Sequence, residues 1–242
     1  MNNKVIYTAI FGAYDRLQEP EVVPEGFDLV VFTNQSLSSK VWDVRKVKQP
    51  LPDPTRSARL YKIKPHEYLP EYDTSIWMDG NMVLKGDVGD VIDGYLQDHS
   101  IAVYDRSKVG DNKKIDCLYD EADFLLTFTG IKQKDDPVII KRQVDAYRKE
   151  GYPEHNGLLV SSVMYRHHMH EDCIQAMNAW WEQLEQYSKR DQMSFNYVMW
   201  KLQIPFSYIH EDAWDNKYFY RAAHRVPFLQ KVRGKIKMMF RK

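Results

Sequence analysis

Short runs rich in β-branched and aromatic residues, separated by Gly, Pro, Asn and Asp, alternate with stretches of helical periodicity, and this alternation points to a layered α/β fold. The runs are KVIYTAIFG from Lys4, FDLVVFT from Phe27, KVWDVRKV from Lys40, TSIWMD from Thr74 and SIAVYDR from Ser100. Strands interleaved with helices imply a mainly parallel sheet. Between the third and fourth runs, Asp53 or Thr55 is placed to cap a helix carrying Leu60, Tyr61 and Ile63. The stretch from Cys117 to Glu150 is helical in pattern and closes on Gly151, a C-cap residue. GLLVSSVMYR from Gly157 then reads as a strand, and the segment from Met169 to Leu202 as one or two helices broken near Ser188 to Asp191.

No repeat, low-complexity tract or long linker divides the chain, and 242 residues suffice for one sizeable core. The one compositional border follows Asp215. All 34 acidic residues lie at or before it, while 9 of the 34 basic residues lie beyond it, so residues 1–215 carry 25 − 34 = −9 and residues 216–242 carry +9. The expected organisation is therefore one domain over 1–215 and a basic tail over 216–242. An acidic body and a tail without a recognition motif argue against nucleic acid as a partner.

Cys117 and Cys173 are too few for a disulfide framework and form no CxxC pair. The apolar run VIYTAIF is too short to span a membrane and lacks a signal-peptide cleavage pattern. A cytoplasmic location without a transmembrane helix is the expectation from these features.

The stretch SIWMDGNMVL ends a hydrophobic run with Asp79, Gly80 and Asn81. In an open α/β sheet ligands collect where strands end, and a carboxylate with a neighbouring amide oxygen there suits Mg²⁺ or Mn²⁺ shared with a phosphate. The same three residues also make an ordinary tight turn. TAIFGAYD would bring Thr8, Phe11, Gly12, Tyr14 and Asp15 to the same edge, though Gly12 alone is neither a GxGxxG motif nor a P-loop. In RSARLYKIKPH, Arg56, Arg59 and Lys62 recur every third residue, so one helical face could direct cations at a diphosphate or simply meet solvent. Asp191 in RDQMSF is placed either to cap the next helix or to serve as base or orienting group for an acceptor hydroxyl. The cluster RHHMHEDC matches no standard zinc spacing.

Taken in order, TAIFGAYD, RSARLYKIKPHEYLPEYDTSIWMDGNM, CLYDEA, GYPEHNGLL and YSKRDQMSF resemble the domain of unknown function 616 family, a group similar to glycosyltransferases of the GT-A fold. The resemblance runs from about Val5 to Ile209. It implies a GT-A-like, Rossmann-like domain that moves a sugar from a nucleotide-sugar donor, a uridine diphosphate sugar being the leading candidate, to a saccharide or lipid-linked acceptor. WMDGN would stand in for the DxD motif, with Asp79 on the ribose or a Mn²⁺ or Mg²⁺ ion. Asn81 departs from the second Asp of that motif, and an amide is the weaker ligand. Asn156 and Gly157, with Glu154 as a second catalytic candidate beside Asp191, lie on the loop resembling the sugar-binding loop of such enzymes, and His210 or His224 would supply a further metal ligand. Two other readings remain: a catalytically silent nucleotide or carbohydrate binding module, which Asn81 leaves open, and a lipid-amide hydrolase, since members of the resembled family are described as ceramidases. Neither a GxSxG elbow nor an HExxH helix supports the latter.

In the tail, Leu229, Val232, Ile236, Met239 and Phe240 recur at roughly helical spacing among Lys231, Arg233, Lys235, Lys237 and Arg241. Such a helix suits an anionic membrane surface at the inner face of the membrane, each near-surface cation adding on the order of 1 kcal/mol. Flotation with anionic liposomes should carry the full chain upward and leave a chain ending at Asp215 behind; equal flotation of the two would remove the membrane surface as a partner.

Overall fold

The computed structural model describes residues 2–12, 15–110, 115–127 and 135–223. The sheet strands are β1 (Lys4–Ile10), β2 (Phe27–Thr33), β3 (Asp43–Lys46), β4 (Thr74–Met78), β6 (Ile101–Asp105), β7 (Leu159–Arg166) and β8 (Ser207–Ile209); β5 (Met82–Leu84) and β9 (Phe219–Arg221) pair with each other apart from it. The helices are α1 (Pro54–Ile63), α2 (Pro65–Tyr68), α3 (Gly89–Tyr95), α4 (Leu118–Thr127), α5 (Pro137–Lys149), α6 (Glu171–Gln186) and α7 (Phe195–Leu202). The sheet order is β3-β2-β1-β4-β7-β6-β8, with every strand parallel to β1 except β7, which runs antiparallel to both its neighbours. The expected mainly parallel sheet flanked by helices is present.

The central strands are buried along nearly their whole length because both faces are covered. Val5, Tyr7 and Trp77 join the cluster under α1 and α4 to α7, while Ile6, Ile10, Ile76 and Met78 join the cluster with α3 and β5. Strand alternation therefore assigns each functional candidate to a face. Trp77 and Asp79 share the α1 side. Thr8 lies between Ile6 and Ile10 on the other side, buried and opposite Val31, so it does not stand at the strand end.

Helix α1 starts at Pro54 because Asp53 caps it, its Oδ1 accepting from the Thr55 and Arg56 amides at 2.7 and 3.3 Å. It stops at Ile63 because Pro65 disfavours helical backbone at the preceding residue. Strand β7 carries an irregularity beside the centre of the sheet. Val103 faces Met164, but Tyr104 faces Val160 instead of Val163, and the slipped residues include Ser161 and Ser162. Such slips bend a strand and re-aim its side chains.

The DGN stretch is a turn, closed by the Met82 amide donating to the Asp79 carbonyl at 2.8 Å. Past Asp215, β9 closes onto β5, and Phe219 is fully buried. Residues 224–242, most of the basic tail, lie outside the described residues, as does Tyr14. No helix among the described residues is long and apolar enough to cross a membrane. A chain ending at Asp215 should lose at least about 3 kcal/mol in denaturant unfolding, the cost of deleting one buried phenylalanine, relative to a chain ending at Ala223, which keeps β9.

Candidate active site at the C-terminal edge of the sheet

The row formed by the cap residue Asp53 and residues 56, 59 and 62 of α1 runs along the end of α6 and the segment that follows it. Lys189 Nζ reaches Asp53 Oδ2 at 2.7 Å. Arg56 donates to the carbonyls of Leu184 and of Tyr187, the latter at 2.9 Å, and so covers the C-terminal end of α6. Arg59 and Lys62 both reach Asp191, Arg59 Nε at 3.0 Å and Lys62 Nζ at 2.6 Å from Oδ2. The same two cations approach Asp79 Oδ1, at 3.5 and 3.3 Å. The expected cationic face is real, but Arg56 serves packing, and Arg59 and Lys62 stand between two carboxylates.

This four-charge cluster is neutral, as a buried cluster must be. The Lys62 side chain is 0% exposed and that of Asp191 2%, while Asp79 remains 27% open. Other groups complete the shell. Ser161 Oγ donates to Asp191 Oδ2 at 2.9 Å, and Trp77 Nε1 to Asp79 Oδ1 at 2.9 Å. The Asp79 amide donates to the Ser162 carbonyl at 2.8 Å. Buried Arg166 donates to the Lys62 carbonyl at 2.8 Å and to the Tyr7 hydroxyl at 2.6 Å, so a cation also sits on the C-terminal end of α1 that carries Lys62.

Burial raises the Asp191 pKa, but the Arg59 and Lys62 charges and the Lys62 hydrogen bond outweigh it and hold the carboxyl well below the usual range. Burial is also the largest influence on Lys62 and lowers its pKa below that of a free lysine, against the pull of Asp191 and Asp79. Asp191 is thus a fixed anion that anchors two cations. It opens a short 3₁₀ turn, Asp191–Met193, while Ser194 is the residue that precedes α7.

Around this centre, Gly80 packs closely on β1, since a Cβ there would lie 3.1 Å from Ile10 Cγ1 and 3.4 Å from Asp15 Cβ. Asp15 therefore sits beside the Asp79 turn. Gly12 adopts φ +67°, where glycine is favoured, against Pro54 at the start of α1. Phe11 is buried and stacks on Tyr61 at 5.4 Å, so its ring belongs to the core under α1.

The proposed metal ligands do not converge. Asn81 is buried, with its carbonyl accepting from the Ala222 amide at 2.8 Å and its Nδ2 3.5 Å from the Ala222 carbonyl. His210 Nδ1 pairs with Asp105 Oδ2 at 3.2 Å at the ends of β8 and β6, beyond β7 from Asp79. His224 lies outside the described residues. Asp79 alone faces the cluster, and its Oδ1 is already met by two cations and an indole N–H, so Asp79, Asn81 and His210 do not form the oxygen-rich shell of a Mg²⁺ or Mn²⁺ ion.

The loop before β7 stands at the same edge but farther along it. Exposed Glu154 lies 3.8 Å from Arg148. Asn156 lies on the same loop as Tyr152, whose hydroxyl is pushed up to about 12, chiefly by burial. Gly157 has φ +80°, and a Cβ on it would fall 2.5 Å from the Tyr208 hydroxyl. Sequence reasoning missed Ser161, Trp77 and Arg166; the paired serines inside the apolar run LVSSVMYR were the one visible signal among them.

Residues 1–225 match the family described as TOD1/MUCI70, glycosyltransferase-like domain. No curated protein gives a significant sequence match. Among solved structures, the chain is similar to the bifunctional glycosyltransferase WbbM, at 10% identity and TM-score 0.45 over 85% of this chain and 38% of that one. It is also similar to mouse xyloside xylosyltransferase 1, at 12% identity and TM-score 0.45 over 86% of this chain and 84% of that one.

Asp191→Asn should cost about 3–5 kcal/mol in denaturant unfolding, because it leaves buried Lys62 and Arg59 undercompensated; Lys62→Met with Asp191→Leu should cost less than the single change. Because the folded pKa of Asp191 is depressed, its contribution is present above the unfolded carboxyl pKa of about 3.9 and is lost as pH falls into the acid range below it.

Proposed function

The chain belongs to the TOD1/MUCI70 glycosyltransferase-like family, and on that premise we propose that it transfers a sugar from a nucleoside diphosphate donor, a uridine diphosphate sugar first, to a saccharide or lipid-linked acceptor. The observation that carries this reading is the pair of cations, Arg59 and Lys62, fixed between Asp79 and Asp191 at the end of β4. The resemblance to the domain of unknown function 616 family agrees with it.

Departure of a nucleoside diphosphate requires stabilisation of the negative charge that develops on its leaving oxygen. Arg59, whose side chain is 16% exposed, is the cation that can face that charge from a water-poor site, where preorganised donors act strongly, while fully buried Lys62 fixes Asp79 and Asp191 behind it. Asp191, Ser161 and Arg166 hold the two cations in place. Asp79, the more open carboxylate, is the group positioned to accept from a ribose hydroxyl of the donor. Asp191 acts as the positioning anion for the cations. Glu154 is the exposed carboxylate on the acceptor side of this reading. With Arg59 in this role, no step here is routed through a divalent ion.

The test is a donor screen that measures nucleotide release from several nucleotide sugars, with Mn²⁺ and with chelator. Release is expected in both conditions, with Arg59→Met lowering kcat by roughly 10²–10³-fold, the usual cost of removing one charge-stabilising group. Release that survives Asp79→Ala unchanged would contradict the site. Binding of a nucleotide sugar without release under any acceptor would instead support the silent binding module.

A further inference from the structure

Away from the charge cluster, three chemically different donors meet where α4 begins and the loop before β7 passes. Cys117 Sγ, an Asp120 carboxylate oxygen and a His155 ring nitrogen all lie within 4.8 Å of one another. Cys117 is buried, whereas Asp120 and His155 are exposed, so the thiol forms the floor of the group and the other two its rim. His155 is held in a left-handed backbone conformation, φ +54°, which is unusual for a residue with a side chain. Its Nδ1 lies 2.8 Å from Asp116 Oδ1. A carboxylate on one imidazole nitrogen is the arrangement that orients histidines toward metal ions and leaves the other nitrogen with its lone pair available.

We propose that Cys117, Asp120 and His155 form a binding site for a zinc-class divalent ion, with Asp116 as the carboxylate that orients His155. A thiolate, an imidazole and a carboxylate suit Zn²⁺ and disfavour Mg²⁺ and Ca²⁺, which take oxygen ligands. Tetrahedral zinc bonds of about 2.0–2.3 Å set ligand atoms roughly 3.5 Å apart, so closing the site asks for movement of about an ångström from side chains that are exposed and able to move. Three protein ligands leave a fourth position for water. Binding releases the Cys117 thiol proton to solvent and forms the metal–sulfur bond, with no change of oxidation state. The ion would tie the start of α4 to the loop that leads into β7. The site shares no residue with the Asp79 cluster, so it stands or falls independently of the transferase reading.

The test is titration of the full chain with Co²⁺, followed by absorption spectroscopy. Expected are a near-ultraviolet thiolate-to-cobalt charge-transfer band and a tetrahedral visible envelope that saturate at a single ion per chain and disappear when Zn²⁺ is added. Cys117→Ser should abolish the charge-transfer band, Cys173→Ser and Asp79→Asn should keep it, and Asp116→Asn should weaken Co²⁺ binding about 10-fold. Because Cys117 is buried and its variant could unfold, exposed His155→Asn is the second variant; it should retain the native circular dichroism spectrum and lose the saturable visible envelope. Absence of the thiolate band in the native chain, or a band that persists in Cys117→Ser, would overturn the proposal.

Discussion

A fully buried ammonium group, Lys62 Nζ, lies between the carboxylates of Asp79 and Asp191, and much of the molecule is arranged so that this charge is tolerable. An isolated ammonium in a protein interior costs several kcal/mol even after relaxation, so its neighbours must supply opposite charge and close hydrogen bonds. They come from distant parts of the chain: Asp79 from the end of β4, Asp191 from beyond α6, Ser161 from the slipped part of β7 and Trp77 from the α1 face of the sheet. Arg59 balances the second carboxylate. Each element that forms the centre of the fold thus contributes to the same compensation, and shifting α1 by one turn would strand a charge.

That arrangement links packing to chemistry. The segment from Tyr187 to Asp191 is clamped along α1, by Arg56 on the Tyr187 carbonyl, by Lys189 on the cap residue Asp53, and by Arg59 and Lys62 on Asp191. The slip in β7 turns Ser161 toward the same carboxylate. Two cations fixed in this way need little reorganisation when an anion arrives, which is the condition under which electrostatic stabilisation of a leaving group is most effective. The one carboxylate left substantially open, Asp79, stands at the strand end where α/β sheets bind ligands.

Most of the sheet was legible in the sequence because β1, β2, β4, β6 and β7 are runs of five to eight residues, long enough to show a pattern. Strands β5, β8 and β9, at three residues each, carry no periodicity, and their pairing depends on contacts made far along the chain. The three-residue spacing of Arg56, Arg59 and Lys62 was equally visible, but its destination was not, since Asp191 lies 129 positions from Lys62. Arg166 reads as the polar end of a strand, and only the fold brings it onto the end of α1. Thr8 was readable in principle. Its parity with Ile6 and Ile10 assigns it to the face opposite α1, whereas proximity in sequence to Gly12 suggested the strand end. Nor does local sequence encode that Asn81 lies beside Ala222 after β9 or that His210 follows a strand that pairs with β6, away from Asp79.

The central claim is that Arg59, anchored by Asp191 and backed by buried Lys62, meets the diphosphate. Calorimetric titration with a nucleoside diphosphate and with the corresponding monophosphate, in the native chain and in Arg59→Met, tests it most directly. The account predicts tighter binding of the diphosphate by the native chain and near-equal binding of the two nucleotides by the variant. An undiminished preference for the diphosphate in Arg59→Met would contradict it.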